Sequence, residues 1–206
     1  MKRSDGTRLR RVRLLESAGL ILLLAIAAGA QQVQITLDPN QTKVNWTLGD
    51  VLHTVHGTFK LVSGKLVFDS RTGDASGEIL VDAKSGESGN HTRDGKMQKE
   101  VLESARYPEI TFLPKHVSGS LAAQGSSTLQ VQGVFGIHGA DHDLTLTLPV
   151  QTQGSRATAT TKFDVPYQAW GMKNPSTLFL KVDDKVEIDI SAVGTVVSGA
   201  AASSRR

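Results

Sequence analysis

The chain has 206 residues, with 23 basic and 20 acidic side chains for a formal net charge of +3, and no cysteine. The missing cysteines exclude disulfides, thiolate catalysis and cysteine-held metals. Six of the basic and two of the acidic residues lie in the first thirty positions, leaving 17 and 18 in the rest, a net charge of −1, with no basic stripe suited to nucleic acid.

The first segment, 1–30, reads as a signal peptide. Lys2, Arg3, Arg8, Arg10, Arg11 and Arg13 precede an eleven-residue apolar run, Ala18 to Ala28, and Ala28-Gly29-Ala30 has the small-x-small form of a cleavage site. A retained anchor is the alternative, although the run is well short of the roughly 20 residues that span a bilayer. Cleavage near Ala30 predicts a periplasmic or secreted protein whose working domain is 31–198, followed by a disordered tail, 199–206, of small and polar residues.

From Val44 onward the chain alternates apolar and polar residues, the signature of half-buried strand. The runs are Val44 to Leu48, Val55 to Leu61, Leu66 with Phe68, and Gly77 to Ala83. After a break come Ile110 with Phe112, Val117 to Leu121, Leu129 to Ile137, Leu144 to Val150, Ala157 to Phe163 and Val186 to Ala192. Eight or nine short strands predict an all-β sandwich or closed antiparallel barrel. Small inward residues (Gly57, Gly77, Gly133, Ala157, Ala159) beside large ones suit a ligand cavity and a filled, tapering barrel equally well.

The break, Gly89 to Phe112, carries a helical pattern. Asp94 suits an N-cap or first-turn acid. Met97, Val101 and Ala105 share a face that Leu102 widens, and Lys96 with Glu100 and Lys99 with Glu103 fall at pairing distance. Pro108 ends the pattern and extends Tyr107. So short a helix needs its apolar face docked, and a barrel mouth is the place for it. Arg93 and Asp94 form a polar pair in which one side chain caps the helix while the other reaches a ligand headgroup, or both only cap. A second irregular connection, 165–177, with Tyr167, Trp170 and Met172, reads as a structural plug or the wall of a portal.

Signals for chemistry are weak. His53 and His56 point to opposite faces of a strand. His138, Asp141 and His142 could gather at a turn around a metal, but no third site at ligand spacing accompanies them. There is no Gly-x-Ser-x-Gly elbow, and the paired aspartates fall at turns. No catalytic residue and no metal ligand is assigned.

Three motifs in order bring a resemblance into view. Asn90-x-x-Arg93-Asp94 leading to Tyr107-Pro108-x-Ile110-Thr111-Phe112 is one. Val55-His56-Gly57-x-Phe59 and Gly133-x-Phe135-Gly136-Ile137-His138-Gly139 are the others. Together they resemble the YceI-like, or polyisoprenoid-binding, family over roughly 34–195. The chain departs from the family pattern at Gly136, at Ala140-Asp141-His142, and at Lys96-Met97, where a His and a Leu are usual.

The resemblance implies a lipocalin-like, eight-stranded antiparallel barrel with a short helical cover. It implies a non-enzymatic carrier of a long isoprenoid or quinone-like lipid, with no other cofactor. On that reading Trp46, Phe59, Phe68, Ile79, Phe112 and Phe135 face the chain. Met97 and Trp170 close over it, and Asn90, Arg93, Asp94 and His138 select the headgroup. Transient membrane contact and a homodimer are further expectations. A ligand-free structural or stress-related barrel is the rival, and a His-based metal protein a second.

Overall fold

A computed structural model describes residues 31–49, 54–176 and 181–200. The predicted signal peptide, His53 and the end of the predicted tail lie outside them. Nine strands are present: β1 (Gln31–Leu37), β2 (Lys43–Gly49), β3 (Thr54–Asp69), β4 (Ala75–Glu87), β5 (Glu109–Ser118), β6 (Gly125–Ile137), β7 (Ala140–Gln153), β8 (Arg156–Val165) and β9 (Val186–Ala200). A short helix, α1 (His91–Lys96), runs into a π-helical turn, Met97–Val101, between β4 and β5.

All pairings are antiparallel, and the sheet closes on itself. The nine strands occupy eight lanes. β1 pairs with the second half of β3 (Val33 opposite Phe68) and β2 with its first half (Trp46 opposite Gly57). Both also pair with β9. They are therefore two pieces of one lane, interrupted at 38–42. Pro39 has no N–H to offer a ladder. The Thr42 hydroxyl replaces the missing rungs, donating to the Val193 carbonyl at 3.2 Å and accepting from the Val193 N–H at 3.1 Å. The expected eight-stranded barrel with a helical cover is the observed fold.

Two strands expected as separate runs are continuous, joined by bulges. β3 changes inward parity between Leu61 and Gly64, with a register shift at Leu61/Ser63 that leaves Val62 exposed. β5 shifts between Pro114 and His116. A bulge adds a residue to one strand and re-aims everything beyond it, so strict period-two reading splits one strand into two. β1 lies N-terminal to the first predicted run although Val33, Ile35 and Leu37 alternate there. β9 runs to Ala200 with Gln32 opposite Gly199, so 199 and 200 end the last strand and are not tail.

The hairpin turns after β3, β5 and β7 gather at one end of the barrel, where Val33, Phe68 and Val117 are buried. α1, its π turn and residues 166–176 lie at the other end.

Candidate functional site

The barrel is not filled. It encloses a cavity of about 610 Å³, within the size range of small-molecule sites. Inward residues of the strands line it, among them Val44, Trp46 and Leu48 on β2, Leu144, Leu146, Leu148 and Val150 on β7, and Ile188 and Ile190 on β9. Two of the small residues that suggested spare room have that room taken. A Cβ on Gly57 would lie 2.3 Å from the Trp46 ring, and one on Gly133 would lie 2.7 Å from Phe112. Those glycines seat the aromatics. The open space lies against Ala157 and Ala159, while Gly77 is exposed.

At the mouth, the N-cap of α1 is Asn90, in extended conformation, whose Oδ1 accepts from the Arg93 N–H at 3.1 Å. Asp94 is the first-turn acid and not the cap. Its carboxylate turns back to accept from the Ser88 N–H at 2.9 Å and from the Ser88 hydroxyl. Arg93 joins the same serine, donating from Nε to Ser88 Oγ at 2.8 Å and from Nη2 to the Ser88 carbonyl at 3.1 Å. Asn90, Thr92, Arg93 and Lys96 line the cavity mouth; Asp94 does not.

The π turn alters which residues face inward. The Leu102 N–H donates to the Met97 carbonyl, five residues back, at 2.9 Å. The extra residue in that turn rotates everything after it relative to α-helical phase. Met97, Val101 and Leu102 line the cavity, whereas Ala105, expected on the same face, is exposed. Gln98 pins the turn to β4 by donating to the Ala83 and Gly86 carbonyls at 3.0 and 3.2 Å. The expected helix pairs do not form. Lys96 donates to the Pro175 carbonyl at 3.1 Å, and Glu100 accepts from Lys173 at 2.6 Å. That hydrogen bond and the lysine charge hold the Glu100 carboxyl below its usual range. Both contacts tie the cover to the 166–176 connection across the mouth.

That connection supplies wall as well as plug. Tyr167 and Met172 are buried and line the cavity. The Tyr167 hydroxyl donates to the Asp183 carbonyl at 2.5 Å. Burial, then the charges of Asp184 and Asp183, push its pKa up to about 12.

Of the residues singled out from the sequence, Trp46, Phe59, Ile79, Asn90, Arg93, Met97, Phe112 and Phe135 line the cavity. Phe68, Asp94, His138 and Trp170 do not. Phe68 is buried opposite Val33 at the closed end, past the parity change in β3. His138 sits in the β6–β7 turn at φ 54°, its ring 4.8 Å from Tyr107 and its Nε2 3.3 Å from Glu103. Trp170 lies outside the wall, stacked on His142 at 3.8 Å and 5.9 Å from Phe135. With one imidazole against Tyr107 and the other under Trp170, the turn does not assemble the donor set that the metal alternative needs. No cluster of three potential ligands occurs among the described residues. Tyr107 also lies where a Cβ on Gly139 would be, 2.4 Å from its ring, so the Tyr-Pro and His-Gly motifs meet in one packing contact.

Sequence reading offered Tyr167 and Met172 only as plug or portal wall, and did not assign Lys96, Thr92, Ile188 or Ile190 to the site. The β9 pair was visible in its alternation. The others depend on how the two connections fold over the mouth.

Comparisons with known proteins follow the same architecture. The sequence model of the YceI-like domain matches residues 35–194. A UPF0312 protein of Pseudomonas putida (strain W619) is 27% identical over 186 residues, covering 85% of this chain and 92% of that one. One of Pseudomonas savastanoi pv. phaseolicola is 29% identical over 140 residues, covering 66% and 70%. Among solved structures, Burkholderia cenocepacia BcnA superposes with a TM-score of 0.64 at 20% identity, over 76% of this chain and 98% of that one. A domain from Saccharophagus degradans, described as polyisoprenoid binding and implicated in plant cell wall breakdown, gives 0.63 at 16% identity, over 79% and 98%. At such identities these structures speak to the fold.

Proposed function

We propose, since this chain belongs to the YceI-like domain family, that it is a binding protein that carries a long-chain lipid of isoprenoid type inside its barrel. The observation that carries this reading is the cavity. Its walls are apolar side chains from every lane of the barrel, and its charged and amide groups stand at one end, on 90–96. A polyprenyl or similar chain matches such a space without any directional contact along its length. The polyisoprenoid-binding description of the Saccharophagus degradans domain, which shares the fold, supports the same class of ligand.

Burial of each methylene contributes about 0.8 kcal/mol, and association costs at least about 4 kcal/mol of lost freedom. About fifteen buried carbons therefore bring the dissociation constant to roughly the micromolar range. The function proposed is carriage, not chemistry. We place it outside the cytoplasm, in the periplasm or the medium, because residues 1–30 have the three parts of a signal peptide.

The test is extraction of the purified protein with organic solvent followed by mass spectrometry. A stoichiometric hydrophobic molecule is the expected result. Protein that comes out clean and also fails to take up prenyl quinones counts against carriage. Export is checked separately, by cell fractionation and N-terminal sequencing: periplasmic protein starting near Gln31 is expected, and protein that stays in the cytoplasm with Met1 intact overturns it.

A further inference from the structure

Taking the carriage reading as its basis, we propose that the ligand is an acidic amphiphile, its chain in the barrel and a carboxylate or phosphate head held between Arg93 and Lys96. Among the described residues, the ionised side chains lining the cavity are these two cations; no aspartate or glutamate lines it. An apolar cavity that ends in two positive charges repels a cationic head and gains little from a neutral one.

The acids of the cover are already engaged, and Asp183 lies behind Gly49 at the edge of the cavity. Asp94 accepts from the Ser88 N–H and hydroxyl. Glu100 accepts from Lys173 at 2.6 Å, although it also feels the Lys96 charge. The cations keep donors in reserve. Arg93 spends Nε and Nη2 on Ser88, which fixes the plane of the guanidinium and leaves three of its five N–H groups. Lys96 spends one donor on the Pro175 carbonyl and has two more. A neutral carbonyl does not cancel the ammonium charge. Both side chains come from one turn of α1, three residues apart, so they share a face. An anionic oxygen pair at the mouth would meet a charge-assisted donor from each, the stronger kind of hydrogen bond.

The experiment compares hexadecanoic acid with hexadecan-1-ol on the delipidated protein by equilibrium dialysis at neutral pH, with inorganic phosphate as a third probe. The acid is expected to bind about 10- to 100-fold more tightly than the alcohol. That ratio should shrink as salt is raised, because the mouth is open to water. Arg93→Gln combined with Lys96→Gln should bring the ratio close to one, while Lys96→Arg should preserve it. Thermal melting of each variant separates lost folding from lost selectivity. A ratio near one in the unaltered protein, or a preference for the alcohol, overturns the acidic head and leaves carriage standing. If neither chain binds, this proposal falls; carriage falls with it only where prenyl quinones are not taken up either. If inorganic phosphate binds as tightly as the acid, the pair is a free-anion site and the amphiphile is wrong.

Discussion

Gly57 sits opposite Trp46 on neighbouring strands, and the absence of its side chain is what lets the indole lie flat against the wall. Gly57→Val puts carbon into the ring and against the Glu87 carbonyl, 2.3 Å away, where backbone cannot yield cheaply. A loss of about 1–3 kcal/mol is expected from such overpacking, read as a lower urea midpoint with an unchanged slope. Tyr167 offers a second test. Its phenol keeps its proton to about pH 12 in the folded chain, against 10.0 ordinarily. Between those values the unfolded state has released a proton that the folded state still holds, so stability falls as pH rises through that window. Tyr167→Phe loses the bond to Asp183 and costs about 1 kcal/mol at neutral pH. It should also flatten the decline between pH 10 and 12; an equally steep decline would assign the alkaline loss to other groups. Neither effect is legible from residue type alone. A glycine in a strand pattern signals close approach of something, and only the fold names Trp46.

The cover is a composite element: a capped single helical turn, a π turn and an irregular descent to Tyr107. The periodicity of Met97, Val101 and Ala105 predicts an α-helix, and Met97 and Val101 do face the cavity. Ala105 does not, because the π turn inserts a residue that composition does not announce. Of the two roles open to Asp94 it takes that of first-turn acid, drawn back to Ser88, and Asn90 is the cap. Asn90→Ala is expected to cost about 1 kcal/mol and to raise amide exchange across 91–96 while leaving the barrel strands protected. Arg93 has a structural bond to Ser88 and a place at the mouth, while the cap falls to Asn90. The ion pair of Glu100 with Lys173 is exposed, and its removal should leave the melting temperature essentially unchanged. It ties the cover to the facing connection, however. Glu100→Gln should therefore speed the exchange of bound chain without changing how much binds at saturation. An unaltered off-rate in stopped-flow displacement would mean the mouth opens elsewhere.

At the scale of the whole molecule, the proposed function rests on a volume that the wall encloses but does not fill. Ala159 lines the open space, so Ala159→Phe should fill it in part. The expected outcome is a melting temperature equal to or above that of the parent, since filling a cavity commonly adds about 0.5–2 kcal/mol, together with chain uptake at least about tenfold weaker. Unimpaired uptake would place the chain elsewhere. Alternation in the sequence by itself determined the all-β class, the inward parity of most strands, and where a helix interrupts them. Period-two patterning records which face is buried, and burial is a local demand on each residue. The sequence motifs also marked the family, and in the fold two of them meet where Tyr107 packs on Gly139. Only the tertiary structure decided that β1 and β2 share a lane, that bulges flip β3 and β5, that Phe68 lies past the cavity while Tyr167 and Met172 wall it, and that Lys96 turns to the mouth. Those outcomes depend on ring closure and on contacts between residues far apart in the chain. So does the emptiness of the barrel: lane number and tilt set its radius, and whether the side chains reach across that radius is decided by all eight lanes at once.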